Sequence, residues 1–274
     1  MTIAAAYLTS DGVVFGSDST TTISSNQGVT QLFNYAQKIF EVGENSRLSV
    51  CTWGAGSLAG TSHRTLVACL ADDVDLEKVS VCEAAKVFRR IVGQEYGDGS
   101  STGVVGYLIG GWDPKTHLPE CYQMIFQGKP EPDIVPFTVG QASFFGNPEF
   151  FSRVFHGWDN RLPGRILEEL KKAGLGVDDI KLEQAFNEAF GKAVAPLQAG
   201  GFRDLPIREA IDFIHMYLHI TIKAFKFRFG PPICGGPIEI AFISTDRKFR
   251  WALHKEFHRA IYEQEALHKW ASLR

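Results

Sequence analysis

The chain has little that points it toward a membrane, a nucleic acid or an oxidising compartment. Its 28 basic and 31 acidic residues leave a formal charge of −3 over 274 residues, so there is no basic excess to neutralise phosphates or anionic headgroups. No apolar run approaches the ~20 residues needed to span a bilayer, and the N-terminus lacks a basic segment leading into an apolar stretch and cleavage site. Cytoplasmic residence, with neither nucleic-acid nor membrane partners, is the expectation. Five cysteines, Cys51, Cys69, Cys82, Cys121 and Cys234, stand singly with no Cys-x-x-Cys spacing. That excludes a disulfide framework and a zinc ribbon, and reads as reduced, mostly buried thiols.

Cofactor signatures are equally thin. No Walker-type loop occurs. Gly54-Ala55-Gly56-Ser57-Leu58-Ala59 satisfies a loose dinucleotide fingerprint, with acids downstream at Asp72, Asp73 and Asp75. The helix that follows leads to another helix rather than to the strand that closes a βαβ unit, which makes dinucleotide binding through residues 54–59 a remote alternative. His215 and His219, like His254 and His258, have the i,i+4 spacing that suits zinc, but neither pair is His-Glu-x-x-His. Both read as packed or solvated histidines, so no cofactor and no metal is expected.

What is present is an ordinary globular composition, 45% hydrophobic, over a length that accommodates one substantial core. The reading is a single domain over 1–274 with a helix-rich section at 147–227. Ile3 to Leu8 and Val13 to Ser17 are β-prone runs joined by Thr9-Ser10-Asp11-Gly12, good hairpin-turn chemistry that returns Asp18 toward Thr2. A polar stretch, Thr20 to Thr30, precedes the strand Lys38 to Val42, a turn at Gly43 to Ser46, and the strand Arg47 to Trp53. Helical periodicity marks Ser57 to Leu70 and Val81 to Tyr96. Strands follow at Gly103 to Gly110 and Glu120 to Phe126, and then helices at Pro148 to Phe155, Arg161 to Lys172, Leu182 to Leu197 and Leu205 to Phe227. Two further strands at 228–251 and an amphipathic helix, His254 to Trp270, complete the pattern. Such an order implies an α+β fold, a four-layer αββα sandwich with extra C-terminal helices.

Thr2 carries the chemical interest. Threonine is small enough to permit removal of Met1, and a terminal Thr holds its nucleophile and its base on one residue: the hydroxyl attacks while the α-amine, titrating near pH ~8, takes the proton.

The series Thr2, Asp-Gly turn, Ser17-Asp18-Ser19, Lys38-Ile39-Phe40, then a strand ending in Gly54-Ala55-Gly56-Ser57, resembles a proteasome-type β subunit of the N-terminal-nucleophile hydrolases. The segment Gly140 to Pro148 places it nearest the bacterial ancestral-β-subunit branch. The resemblance implies a ring-forming threonine peptidase acting on peptides or unfolded proteins, with Thr2, Asp18 and Lys38 catalytic and the Gly56 N–H in the oxyanion hole. Ser19, Trp53, Gly54, Gln141, Ser143 and Cys234 fall at orienting or pocket positions. Departures lie at Pro231 and Cys234, where the family has Asp and Ser, at Gln141 in place of a helper Ser, and at Ser19 in place of Arg. They leave open a catalytically silent subunit with an assembly or binding role. No residue specifies an ATPase partner.

The dinucleotide alternative has a direct check. Nicotinamide and flavin dinucleotides at saturating concentration are expected to leave the melting temperature unchanged; a ligand of the native state would raise it.

Overall fold

The computed structural model describes residues 2–25, 28–97, 103–147, 149–155, 161–174, 178–194, 202–229 and 233–255. It begins with the expected hairpin, β1 (Ala4–Thr9) and β2 (Gly12–Ser17), in which every residue is buried. Burial on both faces explains why these strands are continuously apolar or small instead of alternating. The turn is held by the Asp11 N–H, which donates to Thr9 Oγ1 at 3.1 Å.

Around this hairpin a five-stranded antiparallel sheet assembles. β10 (Ala142–Phe145) pairs with β1, β11 (Glu239–Ser244) pairs with β2, and β12 (Phe249–Leu253) forms the outer edge. The second five-stranded sheet runs in chain order, β5 (Ile39–Glu41), β6 (Leu48–Gly54), β7 (Val105–Trp112), β8 (Pro119–Phe126) and β9 (Val135–Pro136), again antiparallel throughout. Between β6 and β7 the chain makes α1 (His63–Asp73) and α2 (Val81–Tyr96). Helix α2 keeps the boundaries read from sequence because Ser80 and Glu83 form a reciprocal capping box at its start.

Three apolar clusters hold these elements. Ala4, Ala6, Leu8, Phe15 and Ile243 of the first sheet meet Ile39, Cys51, Trp53 and Leu108 of the second. Val50, Tyr107, Ile109 and Phe126, on the other face of the second sheet, pack against Leu66, Leu70, Phe88 and Val92 of α1 and α2. The opposite face of the first sheet, with Ala5, Tyr7 and Val14, is covered by Ile214, Tyr217, Leu218 and Phe225 of α6 (Ile207–Phe227) and by Phe151 of α3 (Glu149–Phe155). Helices α4 (Leu162–Lys172) and α5 (Asp179–Val194) pack on each other. The fold is therefore mixed α+β, built on two antiparallel sheets.

Several expectations change. The polar stretch after Asp18 contains a hairpin, β3 (Thr21–Ser25) with β4 (Gly28–Phe33). Helix α1 starts at His63 rather than Ser57, because Leu58 and Thr61 close a two-residue turn whose central Ala59 and Gly60 both have positive φ, and Ser62 then caps the helix. Since β6 and β7 are antiparallel neighbours with two helices between them, residues 54–59 do not open a βαβ unit. Cys69 is exposed whereas Cys51, Cys121 and Cys234 are buried. His254 and Lys255 follow β12, and the remainder of the expected C-terminal helix lies outside the described residues, as do Met1, Pro231 and His258. Among the described residues, no helix is long and apolar enough to cross a membrane, and no group of three His, Cys, Asp or Glu is placed to hold a metal ion.

Within the second sheet the Trp53 ring lies against its cross-strand neighbour Gly106. A Cβ at Gly106 would stand 2.0 Å from the Trp53 ring, whereas one at Gly56 would meet only Thr21 Cγ2, at 3.8 Å. Gly106→Ala is expected to lower stability by about 1–3 kcal/mol through overpacking, and Gly56→Ala to change it by no more than about 0.5 kcal/mol; urea midpoints of the two variants check the contrast.

Candidate functional site

The register of the first hairpin sets Ala4 opposite Ser17, so one residue beyond the strand ends Ile3 meets Asp18. The Asp18 N–H donates to the Ile3 carbonyl at 3.2 Å, and the Ile3 N–H returns a bond to Asp18 Oδ1 at 3.1 Å. Thr2 is thereby held against Asp18, and it is only 8% exposed. On the other side, the Gly146 backbone, continuing β10, runs beside it. Gly146 has φ +91, and a Cβ there would lie 1.6 Å from the Thr2 carbonyl oxygen.

Lys38 enters from the loop before β5, its carbonyl fixed by the Thr52 N–H of β6 at 2.9 Å. Its Nζ lies 2.5 Å from Asp18 Oδ1 and 2.7 Å from the Thr20 carbonyl. Two of three ammonium donors are thus engaged, leaving one for the cleft that Lys38 lines. Asp18 Oδ2 accepts from Thr20 N–H at 3.3 Å and Gly235 N–H at 2.9 Å. A buried ion pair persists only when its remaining lone pairs and protons find partners, and here the carboxylate has donors on both oxygens. Burial pushes the Lys38 ammonium below its ordinary value, against the opposing charge and hydrogen bond of Asp18.

Thr2 and Lys38 open on a cleft of about 440 Å³ whose walls include Thr21, Thr22 and Ile23 of β3 and the segment Trp53 to Ser57. Gly54 is a glycine for the strand's sake: its φ is +95, and a Cβ would strike the Val104 carbonyl at 2.1 Å. Trp53 turns its indole between the sheets, stacked on Phe145 at 4.1 Å. A hydroxyl-bearing residue (Thr2), an ammonium (Lys38) and the main chain of Trp53 to Ser57 thus line one cleft.

Thr2, Asp18, Lys38, Trp53, Gly54 and Gly56 therefore come together. Ser19 sits beside them through its backbone, donating to the Gly235 carbonyl at 3.0 Å and accepting from Ala36 N–H at 2.9 Å, while its buried hydroxyl finds no partner among the described residues. Cys234 precedes Gly235, which bonds Asp18; burial, reinforced by the Asp18 charge, pushes its thiol up to about 12, so it is a neutral packing group at physiological pH. Gln141 and Ser143 are not brought to the site. Ser143 pairs with Ala6 and the Gln141 carbonyl accepts from Leu8. They bond each other, Ser143 beside the middle of β1 and Gln141 near its far end, about 13 and 20 Å of strand from Thr2 at ~3.3 Å per residue. Sequence reasoning missed the wall formed by β3, the glycine at 146, and His63, which also lines the cleft. A run of β-branched residues, Thr20 to Ile23, is the signal for the first; the other two carry none that is local.

No family model matches this sequence, and neither does any curated protein. Solved structures do share its fold. An Anbu (Gly-1) mutant from Hyphomicrobium sp. strain MC1 aligns with a TM-score of 0.55 at 16% identity, over 99% of this chain and 97% of that one. Anbu (ancestral β-subunit) from Yersinia bercovieri gives 0.54 at 15%, over 99% and 96%. The Anbu complex from Pseudomonas aeruginosa, solved as a helical assembly, gives 0.51 at 16%, over 99% and 95%. The identification as a proteasome-type β subunit is corrected accordingly: at 15–16% identity the likeness to these proteasome-like Anbu proteins is one of fold.

The ion pair yields a prediction. Asp18→Asn strands the Lys38 ammonium in a buried site and is expected to cost about 3–5 kcal/mol, part of which Asp18→Asn/Lys38→Met recovers. Burial holds wild-type Lys38 below its ordinary 10.5 against the raising effect of Asp18, so loss of that charge is expected to lower it further, and the deficit against wild type shrinks as pH rises from the variant's folded value to the wild-type one, where the unfolded chain still binds more protons. Urea unfolding of both variants between pH 7 and 10 tests the size and the sign.

Proposed function

We propose that this protein is a proteasome-like threonine peptidase that hydrolyses peptide bonds, with Thr2 as an N-terminal nucleophile once whatever precedes it has been removed. The observation that carries the reading is the buried Lys38–Asp18 pair, 2.5 Å apart, opening on the same cleft as Thr2. We read the two sheets and their covering helices as the four-layer αββα sandwich of N-terminal-nucleophile hydrolases, in one domain over residues 1–274.

In this mechanism Thr2 Oγ attacks the scissile carbonyl and its proton passes to the Thr2 α-amine. The Lys38 ammonium stabilises the developing alkoxide and, by like-charge repulsion, keeps the neighbouring α-amine in its basic form. The Gly56 N–H holds the tetrahedral oxyanion. Collapse breaks the C–N bond, the departing amine takes the proton from the α-ammonium, and an acyl ester remains on Thr2. Water, deprotonated by the same amine, then releases the acid and restores the hydroxyl. Asp18 acts through others: it holds Lys38 and, through the Ile3 N–H, the chain next to Thr2.

The substrates on this reading are peptides or unfolded protein, in the cytoplasm, without a resident cofactor. The shared fold and the helical assembly of the Pseudomonas Anbu complex support self-association of this chain as well.

Intact mass before and after incubation with a peptide epoxyketone tests the proposal, since that group needs a Thr hydroxyl and a free α-amine on the same residue. The expected outcome is a chain beginning at Thr2 that gains a single adduct, absent in Thr2→Ala. Lys38→Met is expected to slow adduct formation by on the order of 10²–10³. A retained Met1, or a free Thr2 that never reacts, would instead favour the silent assembly subunit.

A further inference from the structure

The segment 54–57 that forms one wall of the cleft is held at three points. Ala55 N–H donates to the Val104 carbonyl at 3.0 Å, and the Leu58–Thr61 turn anchors the far end. Between them the Ala55 carbonyl is bonded to His63 Nε2 at 2.8 Å. A carbonyl can only accept, so Nε2 carries the proton. In the neutral ring Nδ1 then accepts, and the Tyr107 hydroxyl stands 2.9 Å away to donate. Tyr107 is itself fully buried, set edge-on against Phe88 and Phe126 in the core of the second sheet, with ring centroids 5.0 and 6.0 Å away.

This relay reaches the cleft through peptide geometry. The chain has no cis peptide bond among its described residues, and in a trans peptide the C=O of one residue and the N–H of the next point in opposite directions. Drawing the Ala55 carbonyl onto His63 therefore turns the Gly56 N–H away from the helix side. That N–H has no acceptor among the described residues, and Gly56 and Thr2 face the same cleft.

We infer that His63 is the positioning residue that aims the Gly56 N–H at the carbonyl oxygen of a bound substrate, a role whose catalytic consequence rests on the hydrolysis proposed above. A histidine at the first position of a helix commonly does no more than fill a core, but here its two ring nitrogens join a fixed phenol to the one carbonyl whose direction decides the orientation of a donor. Loss of this tether leaves the donor in place and misdirected, so the transition state suffers and substrate binding does not.

Two readouts test this. In a fluorogenic peptide assay, His63→Leu is expected to lower kcat by about 10²-fold, near the effect of losing an oxyanion donor, with KM within about twofold. His63→Gln, whose amide can still donate to the Ala55 carbonyl, is expected to recover most of it. An unchanged kcat in His63→Leu would overturn the inference, as would equal failure of the Gln variant. The second readout is independent of turnover. Labelling alanine at the carbonyl carbon and glycine at nitrogen selects the four Ala-Gly peptides, at 55–56, 59–60, 173–174 and 199–200. The Ala55–Gly56 cross-peak is expected to move in His63→Leu and to return in His63→Gln; a peak that stays put in His63→Leu would sink the tether. If His63→Leu fails to fold, Tyr107→Phe, which frees Nδ1, is expected to displace the same peak. A wild-type protein that forms no epoxyketone adduct would defeat the hydrolase reading, and the cross-peak alone would then decide whether His63 orients Gly56.

Discussion

Asp18 and Lys38 form an ion pair almost out of reach of water, at 0% and 6% side-chain exposure, and a pair in that position is tolerable only if the rest of the carboxylate is hydrogen-bonded. The donors that satisfy it come from distant parts of the chain: Ile3 at the entry to β1, Thr20 at the foot of β3, Lys38 before β5 and Gly235 before β11. One carboxylate thus joins the strand that carries Thr2, the wall of the cleft, an edge strand of the second sheet and the late loop. The electrostatic need of a single buried charge and the geometry of the site are the same fact. Stability and the proposed chemistry draw on one set of bonds around Asp18.

The stacked sheets supply the rigidity this arrangement needs. β1 and β2 are buried on both faces, and Trp53 fills the space left by Gly106 while stacking on Phe145 from the first sheet. Phe145 belongs to β10, whose continuation, Gly146, lies beside Thr2. The same packing that joins the sheets therefore also fixes the strand beside Thr2. Likeness of fold to Anbu proteins at 15–16% identity fits this picture: the sheet architecture tolerates wide sequence change because burial and strand pairing, not particular side chains, maintain it.

Legibility in the sequence followed locality. The first hairpin was readable because Thr9 to Gly12 is turn chemistry, and α2 because Ser80 and Glu83 box its end. Most of the later helices, α6 above all, were placed by their periodicity. Helix α1 was misplaced by six residues, since apolar spacing runs straight through the Leu58–Thr61 turn that only positive-φ geometry and a Ser62 cap reveal. The β3–β4 hairpin was hidden by its polar composition. Gln141 and Ser143 fall at orienting or pocket positions by resemblance, but the register of β10 on β1 sets Ser143 beside Ala6, in the middle of the strand, and Gln141 beside Leu8, near its far end.

By itself, the sequence determined the hairpin that returns Asp18 to Thr2, the alternation of strands with helices, and the residue types available for nucleophilic chemistry, because turn preferences, hydrophobic period and side-chain reactivity are properties of neighbouring residues. Tertiary structure alone decided that Thr20 and Gly235 complete the bonding of Asp18, that Gly146 rather than Gln141 lies beside Thr2, and that His63 bonds the Ala55 carbonyl. Those outcomes depend on strand register and on the demand of buried polar groups for partners far along the chain, which no local pattern records.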